Sequence, residues 1–259
     1  NEHDHKAGLR LKHLLWTCLF VKHYGSESNV VNQCRTSPNA FRKYRNLVLL
    51  RSCGIRGKVV SIDCALSPLF VTTCCQHSLL FAQIKMENRF RGDKGRTCKM
   101  TIDGTDFSIL EPSPFSKTWC SHKYKGPGLR YEIGINIQTG DICWINGPFK
   151  CGKWPDISIF RRNLKHRLAP GEKVECDGGH KGDPSCRNKF VCYNESDKRA
   201  KSRARARHET CNADIKQFGA LSQRWRHGMR LHKLVFVFCV MLTQIGYELG
   251  HGPRFLVNY

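Results

Sequence analysis

Acidic residues are scarce in this chain: 21 Asp and Glu stand against 43 Lys and Arg, a formal net charge of +22 over 259 residues. That excess is larger than surface solubility requires and points to a polyanionic partner, nucleic acid first. Lipidation motifs are lacking at both ends, so an acidic membrane surface is the weaker alternative and no membrane partner is expected. Cysteine is plentiful, at 15 residues, but regular cysteine spacing is missing. No two stand in C-x-x-C order, and neither Cys74 with Cys75 nor Cys186 with Cys192 makes a zinc half-site. The odd number, the scatter and the lack of a secretory leader at Asn1 argue against a disulfide scaffold and for a reducing intracellular compartment. A clean apolar run is missing as well: Cys64 to Ile84 carries no Asp, Glu, Lys or Arg, yet Pro68, Gln76, His77 and Gln83 interrupt it, so it is not read as a membrane span.

What is present suggests one catalytic-size domain of ~150 to 200 residues plus a small accessory module. Leu11, Leu14, Leu15, Cys18, Leu19 and Phe20 recur at helical spacing within residues 8 to 24, with Lys12, Lys22 and His23 off that stripe. A short Val30-Val31 segment follows. Thr36-Ser37-Pro38 then reads as an N-cap with proline at the first helical position, opening a second helix from about Asn39 to Leu50. Helix, short helix, turn, basic helix is the order of a helix-turn-helix, in which Arg42, Lys43 and Arg45 would face phosphates or base edges. A plain helical packing module has the same order. The expected organisation is a helical module over 1–51, an irregular connector over 52–95 and an α/β domain over 96–259.

In that domain Lys99 to Asp103 is a strand ending on an acid, and Phe107 to Leu110 is a further apolar segment. Tyr131, Ile133, Ile135 and Ile137 alternate with polar residues or glycine as in a half-buried strand, Thr139-Gly140-Asp141 makes a hairpin turn, and Ile142 to Ile145 returns. Trp154-Pro155-Asp156 starts a helix with Ile157, Phe160, Leu164 and Leu168 on one face. Glu172 to Cys176 is a strand ending at Asp177, with Gly178-Gly179 allowing a sharp turn. After a polar insertion, Lys181 to Asp197, a long helix is expected from Arg199 to His227, with Cys211, Ile215, Phe218, Leu221 and Trp225 on one face. A last apolar helix spans about Leu231 to Gly246.

Strand with acid, hairpin, helix, strand with acid, helix with acid is the order of a ribonuclease-H-like core, a mixed sheet flanked by helices in which the two acid-bearing strands are neighbours. Asp103 and Asp177 would then share a divalent ion, with Glu209 presented from a helix at the flank. Carboxylate oxygens suit Mg2+, and a two-ion site can activate the attacking oxygen and stabilise the leaving oxygen of a phosphodiester. Taken singly each acid has a plain structural reading: Asp103 and Asp177 precede glycines and can shape turns, and Glu209 lies opposite the apolar stripe of its helix.

The segments Thr101-Ile102-Asp103-Gly104-Thr105-Asp106, Ser121-His122-Lys123, Gly128-Leu129-Arg130-Tyr131-Glu132, Asn146-Gly147-Pro148-Phe149, Trp154-Pro155-Asp156, Asp177-Gly178-Gly179 and Ala206-Arg207-His208-Glu209-Thr210 together resemble the Harbinger-type DDE endonuclease, a transposon-derived member of the DDE superfamily. The resemblance covers about Arg89 to Tyr259. It implies a ribonuclease-H-like catalytic core, Mg2+ or Mn2+, and cut-and-paste transposition of double-stranded DNA by cutting and joining transposon ends to a target. Asp103, Asp177 and Glu209 would be the catalytic and metal-binding triad. Arg205 and Lys216 stand at the offsets of an Arg-x-x-x-Glu-x-x-x-x-x-x-Lys pattern that resembles a signature of related bacterial transposases, so both would contact DNA; Ser202 replaces the tyrosine expected before them. Self-association and a separate DNA-binding partner protein are compatible with such an enzyme. Six of the ten residues Lys198 to Arg207 are basic, which reads as a phosphate-binding or nuclear-localisation patch. The nucleus is therefore the expected location. The alternative is a domesticated or decayed copy acting only as a nuclear DNA-binding or protein-interaction module.

Overall fold

A computed structural model describes residues 9–54, 84–188 and 195–252; most of the expected connector, and with it the apolar stretch 64–83, lies outside the described residues. The chain forms two compact units, the first drawing on residues before 84 together with 216–223 and 227–245, the second on most of the remainder.

In the first unit, α1 (Leu11–His23), α2 (Glu27–Gln33) and α3 (Pro38–Gly54) follow in the order read from the sequence. Ser26 Oγ accepts from the Asn29 N–H at 3.3 Å and Ser37 Oγ from the Ala40 N–H at 3.2 Å, satisfying amide donors that a helix start otherwise leaves free. α3 buries Phe41, Arg45, Val48, Leu49 and Ser52, a single stripe at helical spacing. The C-terminal apolar helix belongs here, not to the α/β domain where the sequence placed it, and Cys53 Sγ donates to its Leu234 carbonyl at 3.9 Å. Every residue from Leu234 to Met241 is buried, and a helix apolar all round must be covered on all sides. By length and composition Met229–His251 could cross a bilayer, but 56% of its apolar window is buried, as in the core helix of a folded domain.

The second unit is an α/β structure with a six-stranded mixed sheet. Its strands are β1 (Cys98–Ser108), β2 (Cys120–Ser121), β3 (Gly126–Asn136), β4 (Ile142–Lys150), β5 (Lys173–Cys176) and β6 (Cys186–Asn188). β3 pairs antiparallel with β1, β2 and β4, whereas β5 runs parallel to β1 and β6 parallel to β5. One core cluster gathers Met100 and Ile102 of β1, Val174 of β5 and Phe160 and Leu164 from the α4 (Asp156–Arg162) segment. α5 (Glu195–Ile215) packs against β1 through Thr101, whose Oγ1 lies 2.8 Å from His208 Nδ1.

Several expectations are corrected. β1 does not end at Asp103 but runs on to Ser108, held along its length by β3. β3 is buried on both faces from Tyr131 onward, because Glu132, Gly134 and Asn136 are covered as well. The helix after Trp154 stops at Arg162, and a 3-10 turn at Lys165–Arg167 carries Leu164 and Leu168 into the same core. The polar insertion contains β6. The long helix ends at Ile215, and Phe218 takes up extended backbone before the next short helix. Trp225 therefore lies off that helix and bonds to β1's end, its N–H donating to the Ser108 carbonyl at 2.9 Å.

Candidate active site

The parallel register of β1 and β5, Met100 opposite Val174 and Thr101 opposite Glu175, carries Asp103 level with Asp177 just past the end of β5. Asp103 Oδ1 accepts from the Gly104 N–H at 2.8 Å and Oδ2 from Asn212 Nδ2 at 3.3 Å, so both oxygens are oriented while each keeps a free lone pair. Burial raises the Asp103 pKa, Lys123 works against it, and the charge of Asp177 raises it further. Asp177 is in the opposite state. The hydrogen bond from His180 (Nδ1 to Oδ1, 3.1 Å) is the main cause that brings its carboxyl down to about 2, aided by the Gly179 N–H at 2.8 Å. His180 is itself buried; burial would lower its pKa, but the bond to Asp177 and the charge of Asp156 outweigh that and raise it.

Asp156, the first residue of α4, is the member of this group that the sequence did not single out. A Cβ on Gly104 would lie 2.1 Å from Asp156 Oδ1, and one on Gly179 would lie 3.3 Å from Asp156 Oδ2. The glycines beside Asp103 and Asp177 thus clear the space its carboxylate occupies. Burial raises its pKa, Arg130 and His180 oppose, and Asp103 and Asp177 add to the rise. Arg130 orders this side of the site. Its guanidinium donates to both oxygens of the fully buried Asp106, at 2.7 and 3.0 Å, and lies 3.2 Å from Asp156 Oδ1. Ser121 adds a 2.6 Å bond to Asp106, and Lys123 Nζ donates to the Gly104 carbonyl at 3.2 Å. Nearby Glu132 is buried, receives the Trp144 indole N–H at 2.8 Å, and is pushed by burial up to about 7.

The structure brings Asp103 and Asp177 together but leaves Glu209 apart. Glu209 is on the outer face of α5, its side chain 63% exposed and paired with Arg205 at 3.1 Å. The buried stripe of α5 runs through Ala204, Arg207, His208, Cys211 and Ile215, and from this side of the helix Asn212 rather than Glu209 reaches Asp103. Lys216 follows the last residue of α5, so it does not continue the Glu209 face, and it falls in the first unit. Of the three candidate DNA-contacting cations on α3, Arg42 pairs with Glu27 at 2.6 Å and Lys43 lies exposed beside the Tyr44 ring. Arg45 is withdrawn from any DNA-facing role. It is 5% exposed, stacked over Phe20 and Phe41 and bonded to Asn46.

Asp156 was visible in the Trp154-Pro155-Asp156 segment as a helix start and as part of the resemblance but not as a site residue, and Asp106 only as part of the Asp-Gly-Thr-Asp segment. Asn212 carried no signal beyond its place four residues after His208. Among the described residues no three His, Cys, Asp or Glu side chains gather closely enough to hold one metal ion between them. Two carboxylates are nevertheless a sufficient protein contribution for Mg2+, which completes its shell with water and phosphate oxygens. The donor set fits: hard oxygens, with the charge of Asp177 raising the proton affinity of Asp103 and the charges of Asp103 and Asp177 raising that of Asp156, a repulsion that a divalent cation would relieve. Comparison with family models, with curated proteins and with solved structures gives no match to this chain.

Proposed function

We propose that the second unit is a metal-dependent phosphodiester-cutting domain acting on DNA, an endonuclease and strand transferase of the DDE transposase kind that its motifs resemble. The observation that carries this reading is the parallel pairing of β1 with β5, which sets Asp103 beside Asp177. The strand order, with β5 and β6 parallel to β1 and the long β3 and β4 antiparallel on its other side, is compatible with a ribonuclease-H-like fold. The net charge of +22 suits a DNA substrate.

In this reading Asp103 and Asp177 hold Mg2+ or Mn2+, which when bound supplies the Lewis-acid chemistry that activates a water or a DNA 3′-hydroxyl. The chain's own residues prepare the site. Asn212 and the Gly104 N–H fix the Asp103 carboxylate, and His180 and the Gly179 N–H fix that of Asp177. Lys123 brings positive charge to the Asp103 side, where a scissile phosphate is drawn in. The basic helix segment Lys198 to Arg207 goes with nuclear localisation. A second reading, DNA binding without cutting, is favoured by one feature: the expected third acid, Glu209, faces away and is paired with Arg205.

Calorimetric titration with Mn2+ tests the proposal. The intact chain should bind the ion and Asp103→Asn should bind it at least ~10-fold more weakly. Equal binding by both would remove Asp103 from the site.

A further inference from the structure

Within the second unit, the surface charge of residues 112 to 176 is one-sided. Between residues 112 and 176 eight Lys and Arg side chains are exposed, whereas all five acids, Glu132, Asp141, Asp156, Glu172 and Glu175, are buried or half-buried. Part of this basic surface is built around indoles. Lys150 Nζ stands 4.3 Å from the centre of the Trp119 ring. Trp154 carries Arg162 at 4.9 Å and Lys153 at 5.8 Å, and lies 5.6 Å from Phe149. The two indoles belong to one surface, because Gly152 fits against the backbone of Lys117 and Cys120 so closely that a Cβ there would come within 2.5 Å of the Lys117 carbonyl oxygen. It adjoins the acid site, since the Trp154 carbonyl accepts from Arg130 at 3.3 Å and Asp156 is two residues on.

We infer that this rim, from Trp119 and Lys150 across Trp154 to Arg162, is a docking track for the backbone of duplex DNA leading to the acid site. A cation held over an indole keeps its charge while giving up conformational freedom, so it meets a phosphate at a smaller entropic cost than a free lysine. The partner is duplex and not single strand because each indole already has a cation over its ring, which leaves less free ring surface for the base stacking a single strand depends on. The inference rests on the reading above for its class of partner. It does not require the acids to be catalytic.

The test is fluorescence anisotropy with a labelled duplex in EDTA, using the full chain in an Asp103→Asn background. Lys150→Glu with Arg162→Glu should weaken binding at least ~10-fold and reduce the slope of log K against log salt by about 2, near 0.9 per lost phosphate contact. The neutral pair Lys150→Gln with Arg162→Gln, which avoids reversed charge should the first pair fail to fold, should weaken binding several-fold. Lys94→Glu with Arg96→Glu, the same charge change elsewhere on the unit, should weaken it less than ~3-fold. Equal losses in rim and control pairs would overturn the inference by reducing it to net charge. Tighter binding of a single strand of equal length, or equal binding to vesicles of anionic lipid, would overturn the choice of partner. Absence of metal-dependent cutting would sink the catalytic reading while leaving these binding results to stand or fall alone.

Discussion

Replacing Arg130 by Met is the perturbation whose size follows most directly from the geometry. Asp106 is fully buried and its carboxylate takes two bonds from Arg130 and one from Ser121; the Arg130 side chain is itself only 12% exposed. Removing the guanidinium leaves a buried charge with only the Ser121 hydroxyl, the Cys151 thiol and the more distant charge of Lys123 to compensate it, a loss that typically costs about 3 to 5 kcal/mol. For a domain of this size each kcal/mol lowers Tm by roughly 2 to 4 °C, so unfolding of the second unit should fall by roughly 6 to 20 °C in calorimetry or circular dichroism. Adding Asp106→Asn should restore part of the loss, because the stranded charge is then gone, and the double variant should be more stable than Arg130→Met alone. A loss under about 1 kcal/mol would mean that the pair behaves as a solvated surface pair and that the site is not ordered through Arg130. Additive losses in the double variant would refute the account of the stranded charge.

Acid should weaken both units. Burial holds His232 neutral in the first unit, with its pKa down at about 3 against an ordinary 6.5; the unfolded chain takes up a proton first, so this contribution is complete above pH ~6.5 and is lost as pH falls from there towards 3. Burial alone would raise the Asp106 carboxyl, but the bonds from Arg130 and Ser121 hold it below the ordinary value, so its contribution is present above pH ~4 and disappears only at lower pH. Tm of the first unit measured from pH 7.5 to 4.5 should therefore decline, and His232→Leu should flatten that decline; an unchanged slope in His232→Leu would exclude His232 as the cause in the first unit. In the second unit the same loss from buried His208, its pKa also down at about 3, is opposed by Glu132, which burial raises to about 7. At the acid site, Asn212→Ala should weaken Mn2+ binding by about 10-fold, as loss of an outer partner of a ligand does, while the exposed Glu209→Ala changes it little. The reverse order would show that Glu209 turns inward when the ion binds.

Much of the sheet was legible because strand signals are local. The alternation after Leu129, the Thr139-Gly140-Asp141 turn and the glycines after Asp177 located the hairpin and β5, and the two acid-bearing strands are indeed neighbours. Side-chain direction was less legible. Arg45 lies four residues after Phe41 and four before Leu49, so the helical period already placed it within the buried stripe, but its charge drew attention to DNA instead. Glu209 is opposite the buried face of α5, where its ordinary reading had it, whereas Asn212, which reaches Asp103, carried no sequence signal. Asp156 was placed at its helix start, but its part in the site could not be read from sequence. Its role depends on space left by Gly104 and Gly179, one on β1 and the other beyond β5, and only the folded register brings those glycines together. β6 was missed because a three-residue strand is too short to show a period.

The most direct test of the central claim is conversion of supercoiled plasmid to nicked circle by the purified full chain with Mn2+. The account predicts nicking that requires the ion and is abolished in Asp103→Ala and in Asp177→Ala, each folded as judged by circular dichroism. Nicking that persists in both variants would contradict the claim that these two carboxylates form the working site.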